Sequence, residues 1–150
     1  MRYLFLVFAF FSAHAFAAVK PLPIPAGLRQ IVLQQSEETK VPAPIIYGVM
    51  FAESTFRQYV VNTGSYGYMQ INAKMHPHLR YLAWQRYKTW NLFDPRVNVF
   101  VSAHLLQRLY QKFGSWESAL HHYSDTRNSG YATKVLVFAY YLPVYQPQLL

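Results

Sequence analysis

The chain contains no cysteine. That excludes disulfides, thiolate metal sites, cysteine nucleophiles and a lipid-modified N-terminal cysteine, so an exported form must be held by its core alone. Acidic residues are scarce as well, six against 14 Lys and Arg. The basic residues stand singly, as at Lys74, Arg80, Arg86, Lys88, Arg96, Arg108 and Arg127, and form no run of the kind that marks a nucleic-acid footprint. The histidine pairs His76/His78 and His121/His122 lack the i, i+4 spacing of a zinc helix, and no Glu lies between them, so no metal and no cofactor is expected. No apolar run reaches the roughly 20 residues of a membrane-spanning helix. Internal repeats and a second domain are absent from the pattern.

What is present is apolar and aromatic. Hydrophobic residues make up 53% of the chain, aromatics 18% and charged residues 13%, which supplies a core and excludes disorder. The 150 residues suggest one domain. The N-terminus reads as a secretory signal peptide over residues 1–17: Arg2, then an apolar run from Tyr3 to Phe11, then Ala15-Phe16-Ala17 as a cleavage site. A mature domain over residues 18–150, periplasmic and without stable membrane insertion, is the expectation. Its net charge of +7 after loss of Arg2 (13 basic, 6 acidic) favours an anionic partner such as the cell wall.

The prolines from Val19 to Pro25 dictate an extended entry segment. A short helix is expected over Ala26–Gln35, a loop over Ser36–Pro44, and a helix from Pro44 to about Phe56. Tyr59 to Asn72 reads as a small irregular hairpin around Asn62-Thr63-Gly64-Ser65. Met75 to Trp90 is expected to be helical in part, interrupted near His76-Pro77-His78. Asp94-Pro95 starts a long helix whose apolar stripe is Val97, Val101, Leu105, Leu109 and Phe113. Gly114 ends it and Ser115 caps the next. Asp125 to Gly130 is a turn, and Tyr131 to Tyr141 a last helix stopped by Pro143.

Within this frame Glu53 stands out. It lies in Ile45-Ile46-Tyr47-Gly48-Val49-Met50-Phe51-Ala52-Glu53-Ser54, the only acidic residue in such a run. Against apolar surface a carboxyl holds its proton to higher pH and can then deliver it to a leaving group. The alternative is an ordinary position on the wet face of an amphipathic helix.

Downstream stand Gly64-Ser65-Tyr66-Gly67-Tyr68-Met69-Gln70-Ile71, with Gly67 placed 14 residues after Glu53, then Asp94-Pro95-Arg96-Val97-Asn98, Ala119-Leu120-His121-His122-Tyr123 and Gly130-Tyr131. Order and spacing resemble the soluble-lytic-transglycosylase family, the SLT-type lysozyme-like domain that cuts peptidoglycan. The resemblance covers Ala43 to Val135. It implies a mainly α, lysozyme-like α+β fold, a single helical domain with a small hairpin beside the cleft. Residue by residue, Glu53 matches the family's catalytic glutamate. Ser54 follows it. Gly67, Met69 and Gln70 match the Gly-Leu-Met-Gln block that lines the sugar cleft, Asn98 the asparagine after the Asp-Pro, Tyr123 the tyrosine of the Ala-Tyr-Asn block, and Tyr131 a later cleft-side tyrosine. Asn62 stands where the family often has a substrate-contacting serine. Tyr68 replaces the usual leucine, and Ser124 the family asparagine. Each supporting residue has a packing alternative: Gln70 and Asn98 could satisfy loop backbone, and Met69 and Tyr123 could be core.

The resemblance also implies a mechanism that needs one carboxyl. Glu53 would protonate the glycosidic oxygen between N-acetylmuramic acid and N-acetylglucosamine, the N-acetyl group would stabilise the cationic C1, and the ionised Glu53 would then take the proton of the attacking 6-hydroxyl. Peptidoglycan strands are the implied partner, and the compact chain resembles transglycosylases that serve secretion or conjugation machinery. Two other readings stay open: a hydrolase of goose-lysozyme type using Asp94 or Asp125, and a wall-binding assembly subunit without activity.

Overall fold

A computed structural model describes residues 24–124 and 130–150. The proposed signal peptide, most of the Val19–Pro25 segment and the Asp125–Gly130 turn up to residue 129 lie outside the described residues. Six α-helices and three two-residue strands follow in order among them: α1 Leu28–Thr39, α2 Ala43–Ser54, β1 Val61–Asn62, β2 Ser65–Tyr66, β3 Ile71–Asn72, α3 Pro77–Tyr87, α4 Pro95–Phe113, α5 Trp116–Tyr123 and α6 Gly130–Tyr145, closed by a 3-10 turn at Pro147–Leu149. The mainly α fold with a small β element agrees with the sequence expectation.

Helix α2 is the centre. Ile45 to Met50 are all buried, because this helix is apolar on every side and has to be covered on every side. Pro42 and Pro44 set its start. It ends abruptly after Ser54, where Thr55 (φ 51°) and Phe56 (φ 59°) both enter the left-handed region. Such backbone persists for non-glycine residues only under compensating contacts. Here Phe56 is buried, and its ring meets Phe51 at 6.3 Å, Phe138 at 6.1 Å and Tyr47 at 6.5 Å between centroids.

Four expectations need correction. The loop expected over Ser36–Pro44 is helical to Thr39. Polar residues there face water, while buried Thr39 accepts Val41 N at its hydroxyl and donates to the Gln35 carbonyl at 2.7 Å. Pro77 does not interrupt α3 but begins it, as its missing N–H costs nothing in the first turn. Pro143 does not stop α6, which runs on to Tyr145; near a helix end it removes a single hydrogen bond. The expected hairpin gains a third strand. Order is β1-β2-β3, antiparallel, with Asn62 opposite Ser65 and Tyr66 opposite Ile71. Thr63 and Gly64 both take positive φ in the two-residue turn, as a type I′ hairpin requires.

Helix α4 begins as expected: Asp94 Oδ1 accepts Arg96 N at 2.9 Å. Its buried set is Val97 to Ala103 and Leu106, whereas Leu105, Leu109 and Phe113 are only half-buried. A strict four-residue row drifts by roughly 40° per step around the helix, so its far end leaves the core face.

Candidate active site

The site is made where α6 crosses α2. A Cβ on Gly48 would lie 2.7 Å from the Val135 carbonyl oxygen and 2.9 Å from Val135 Cγ1. Only hydrogen fits there, and α6 therefore lies backbone-close on α2. Phe51 stacks on Phe138 at 4.5 Å, and Lys134 Nζ donates to the Ala52 carbonyl at 3.3 Å. Tyr131, one turn before Val135, then reaches the last turn of α2. Its hydroxyl donates to Glu53 Oε1 at 2.7 Å.

Burial pushes the Glu53 carboxyl above its ordinary range. The Tyr131 hydrogen bond and the Lys134 charge oppose that shift and are outweighed. Burial, with the nearby Glu53 carboxyl adding to it, pushes the Tyr131 phenol well above its usual value, so it remains a hydrogen-bond donor. Tyr123 is raised for the same two reasons. Glu53, Tyr131 and Tyr123 thus form one electrostatic cluster.

Tyr123 links this cluster to the 66–70 loop. Its hydroxyl donates to the Met69 carbonyl at 2.9 Å. A phenol has one proton, so the 2.7 Å contact with Ser102 Oγ makes Ser102 the donor there. From the other side Asn98 Oδ1 accepts Met69 N at 2.8 Å, and Asn98 Nδ2 donates to the carbonyls of Tyr66 and Leu92, each at 2.9 Å. Gly67, at φ 76°, packs so close that a Cβ would sit 2.6 Å from Asn98 Nδ2. Gln70 is also left-handed, and its amide nitrogen donates to Val60 O (3.1 Å) and Gly67 O (3.0 Å).

The residues carried over as substrate-binding therefore divide. Ser54, Gly67, Met69 and Asn98 are buried, and the hydrogen bonds they make run within the protein; Ser54 Oγ donates to Met50 O at 3.1 Å. Gly67, Met69 and Asn98 fasten the 66–70 loop to α4, while Ser54 is tied back into its own helix, so in this structure the four are packed inside the protein. Tyr131 touches Glu53 directly. Gln70 and Tyr123 are partly exposed at the loop. Asn62 is exposed at the hairpin, its Oδ1 accepting from Thr63 Oγ1, with no link to Glu53. Tyr68, the departure from leucine, turns into the core at 2% exposure.

Three positioning residues were not singled out from sequence. Gly48 carried a signal, a lone glycine inside an apolar helix, which points to a close helix approach. Ser102 interrupts the apolar face of α4 one turn after Asn98. Lys134 carried none. Asp94, weighed as a base for hydrolysis, is engaged by Arg96 Nη2 at 2.6 Å and held below its usual range by that guanidinium.

The profile of the transglycosylase SLT domain matches residues 30–133, from α1 into the first turn of α6. The chain belongs to this SLT transglycosylase family. The match spans Glu53, the 66–70 loop, Asn98, Tyr123 and Tyr131, so the whole cluster lies within the family domain. Lytic transglycosylation of peptidoglycan is the activity that the SLT domain carries. No curated protein matches the chain.

Proposed function

We propose that this SLT domain cleaves the β-1,4 bond between N-acetylmuramic acid and N-acetylglucosamine with Glu53 as its only acid–base group. The observation that carries the reading is the half-buried Glu53 carboxyl, raised by burial and held at Oε1 by Tyr131. With Oε1 accepting from Tyr131, the transferable proton sits on Oε2. It passes to the glycosidic oxygen as the C1–O4 bond breaks, and the substrate N-acetyl oxygen shields C1. The Glu53 carboxylate next removes the proton from the 6-hydroxyl of the same muramic acid. O6 bonds to C1, a 1,6-anhydro end forms, and Glu53 is protonated again, with no water consumed. Gln70 and Tyr123 border the reacting sugar.

The enzyme acts in the periplasm after cleavage behind Ala17, trimming the wall where a secretion or conjugation machine is assembled. The test is mass spectrometry of muropeptides released from purified sacculi. Anhydro ends from the wild type and a loss of at least about 10²-fold for Glu53→Gln are expected. Reducing ends would mean hydrolysis, and equal release by Glu53→Gln would remove Glu53 from the chemistry.

A further inference from the structure

The outer face of α3 carries a groove of about 430 Å³ lined by Pro77, Arg80, Tyr81, Trp84 and Trp90. None of these residues takes part in the Glu53 cluster. The volume lies in the range of about 300–1,000 Å³ usual for small-ligand sites. Leu79 and Ala83 bury the opposite face of α3, so residues 77, 80, 81 and 84 are turned outward by helical period. Tyr81 is 59% exposed and Trp84 51%. Single exposed aromatics are ordinary. Here three rings converge on one concavity, with the Arg80 guanidinium 5.8 Å from the Trp90 ring centre. No carboxylate lines the groove, and Arg80 has no ion-pair partner among the described residues.

From this geometry we propose a second glycan-binding surface, in which Trp84 and Tyr81 stack on the apolar face of an amino sugar and Arg80 pairs with a carboxylate of the attached stem peptide. Ring faces match the C–H face of a pyranose, and an arginine fork matches a carboxylate. The surface would hold the wall strand away from Glu53 and keep the enzyme on the sacculus between cuts. It rests on the wall-glycan reading of the Glu53 site, and its test is a binding test that requires no turnover.

Glu53→Gln protein is sedimented with intact sacculi, and separately titrated with an uncharged N-acetylglucosamine oligomer. Trp84→Ala in that background is expected to weaken both interactions by roughly five- to tenfold. Arg80→Ala is expected to weaken only the interaction with sacculi. Both side chains are exposed, and circular dichroism melts verify the folds; Trp84→Gln serves if Trp84→Ala melts early. Wild-type affinity for both ligands in the Trp84 variants overturns the proposal, and an equal Arg80 effect on both ligands overturns its carboxylate half. If wild-type protein released no anhydro product while Trp84→Ala still lost sacculus binding, the catalytic reading would fail and the binding surface would stand.

Discussion

A carboxyl that must first give and then take a proton works best when its pKa lies near the working pH. In Glu53 burial raises the pKa, and the Tyr131 hydroxyl at 2.7 Å restrains the rise. Removing the restraint has a definite sign. Tyr131→Phe lets the Glu53 pKa climb further, so the alkaline limb of the pH–rate profile moves to higher pH, at a stability cost of about 1 kcal/mol for the lost hydrogen bond. A limb that stays in place would show that Tyr131 does not act on the acid. Stability follows the same linkage. The folded chain keeps the Glu53 proton to higher pH than the unfolded chain does, so wild-type stability falls as pH rises from the ordinary carboxylate value through the raised one. Glu53→Gln has no such proton to lose. Thermal melts should show it gaining on the wild type across that window and holding the gain above it.

Elements matter through two contacts. The first is the clamp on Met69, where the side chain of Asn98 bonds Met69 N and the carbonyls of Tyr66 and Leu92. Asn98→Ala orphans three backbone groups, two of them buried, and a loss of about 3 kcal/mol or more is expected in denaturant melts. Asn98→Asp keeps the acceptor for Met69 N but sets a carboxylate against two carbonyl oxygens, so it should not rescue. The second is the α2–α6 crossing. Alanine improves a helix interior over glycine by about 1 kcal/mol. At Gly48 that gain meets a Val135 carbonyl 2.7 Å away, which has no rotamer with which to retreat. Gly48→Val should cost about 1–3 kcal/mol or more and carry Tyr131 off Glu53. Its residual activity should then show the pH profile of Tyr131→Phe, a signature that simple destabilisation would not produce.

The molecule as a whole carries a net charge of +8 and no cysteine. Attraction to an anionic wall is screened by salt, with a Debye length falling from about 10 Å at 0.1 M to about 3 Å at 1 M. Retention of the Glu53→Gln protein on sacculi should drop steadily over that range, while binding to the uncharged oligomer, which depends on ring stacking, should change little. Equal salt dependence for both ligands would place the charge effect outside the wall interaction. Reductants should leave the melting temperature unchanged, since no disulfide exists to break.

Much of this was legible along the chain. Glu53 is conspicuous because an acid in an apolar run is rare, and Asp94-Pro95, Gly114 and Ser115 mark helix ends through local hydrogen bonding and backbone preference alone. Residue types spaced along the chain thus determined the helical class, the acid proposed for catalysis and the blocks of the SLT family. Locality also explains the misses: polar Ser36 to Thr39 looks like a loop only until buried packing of Thr39 and Gln35 is known, and Pro143 looks like a stop only if its place in the last turns of α6 is ignored. Which side each block residue faces was decided in three dimensions. Asn98 and Tyr123 both come from motif blocks, yet one is sealed inside holding three backbone groups while the other belongs to the Glu53 cluster. That difference comes from the approach of α6 to α2 at Gly48 and from the fold of the 66–70 loop onto α4, contacts between segments dozens of residues apart that no local preference encodes.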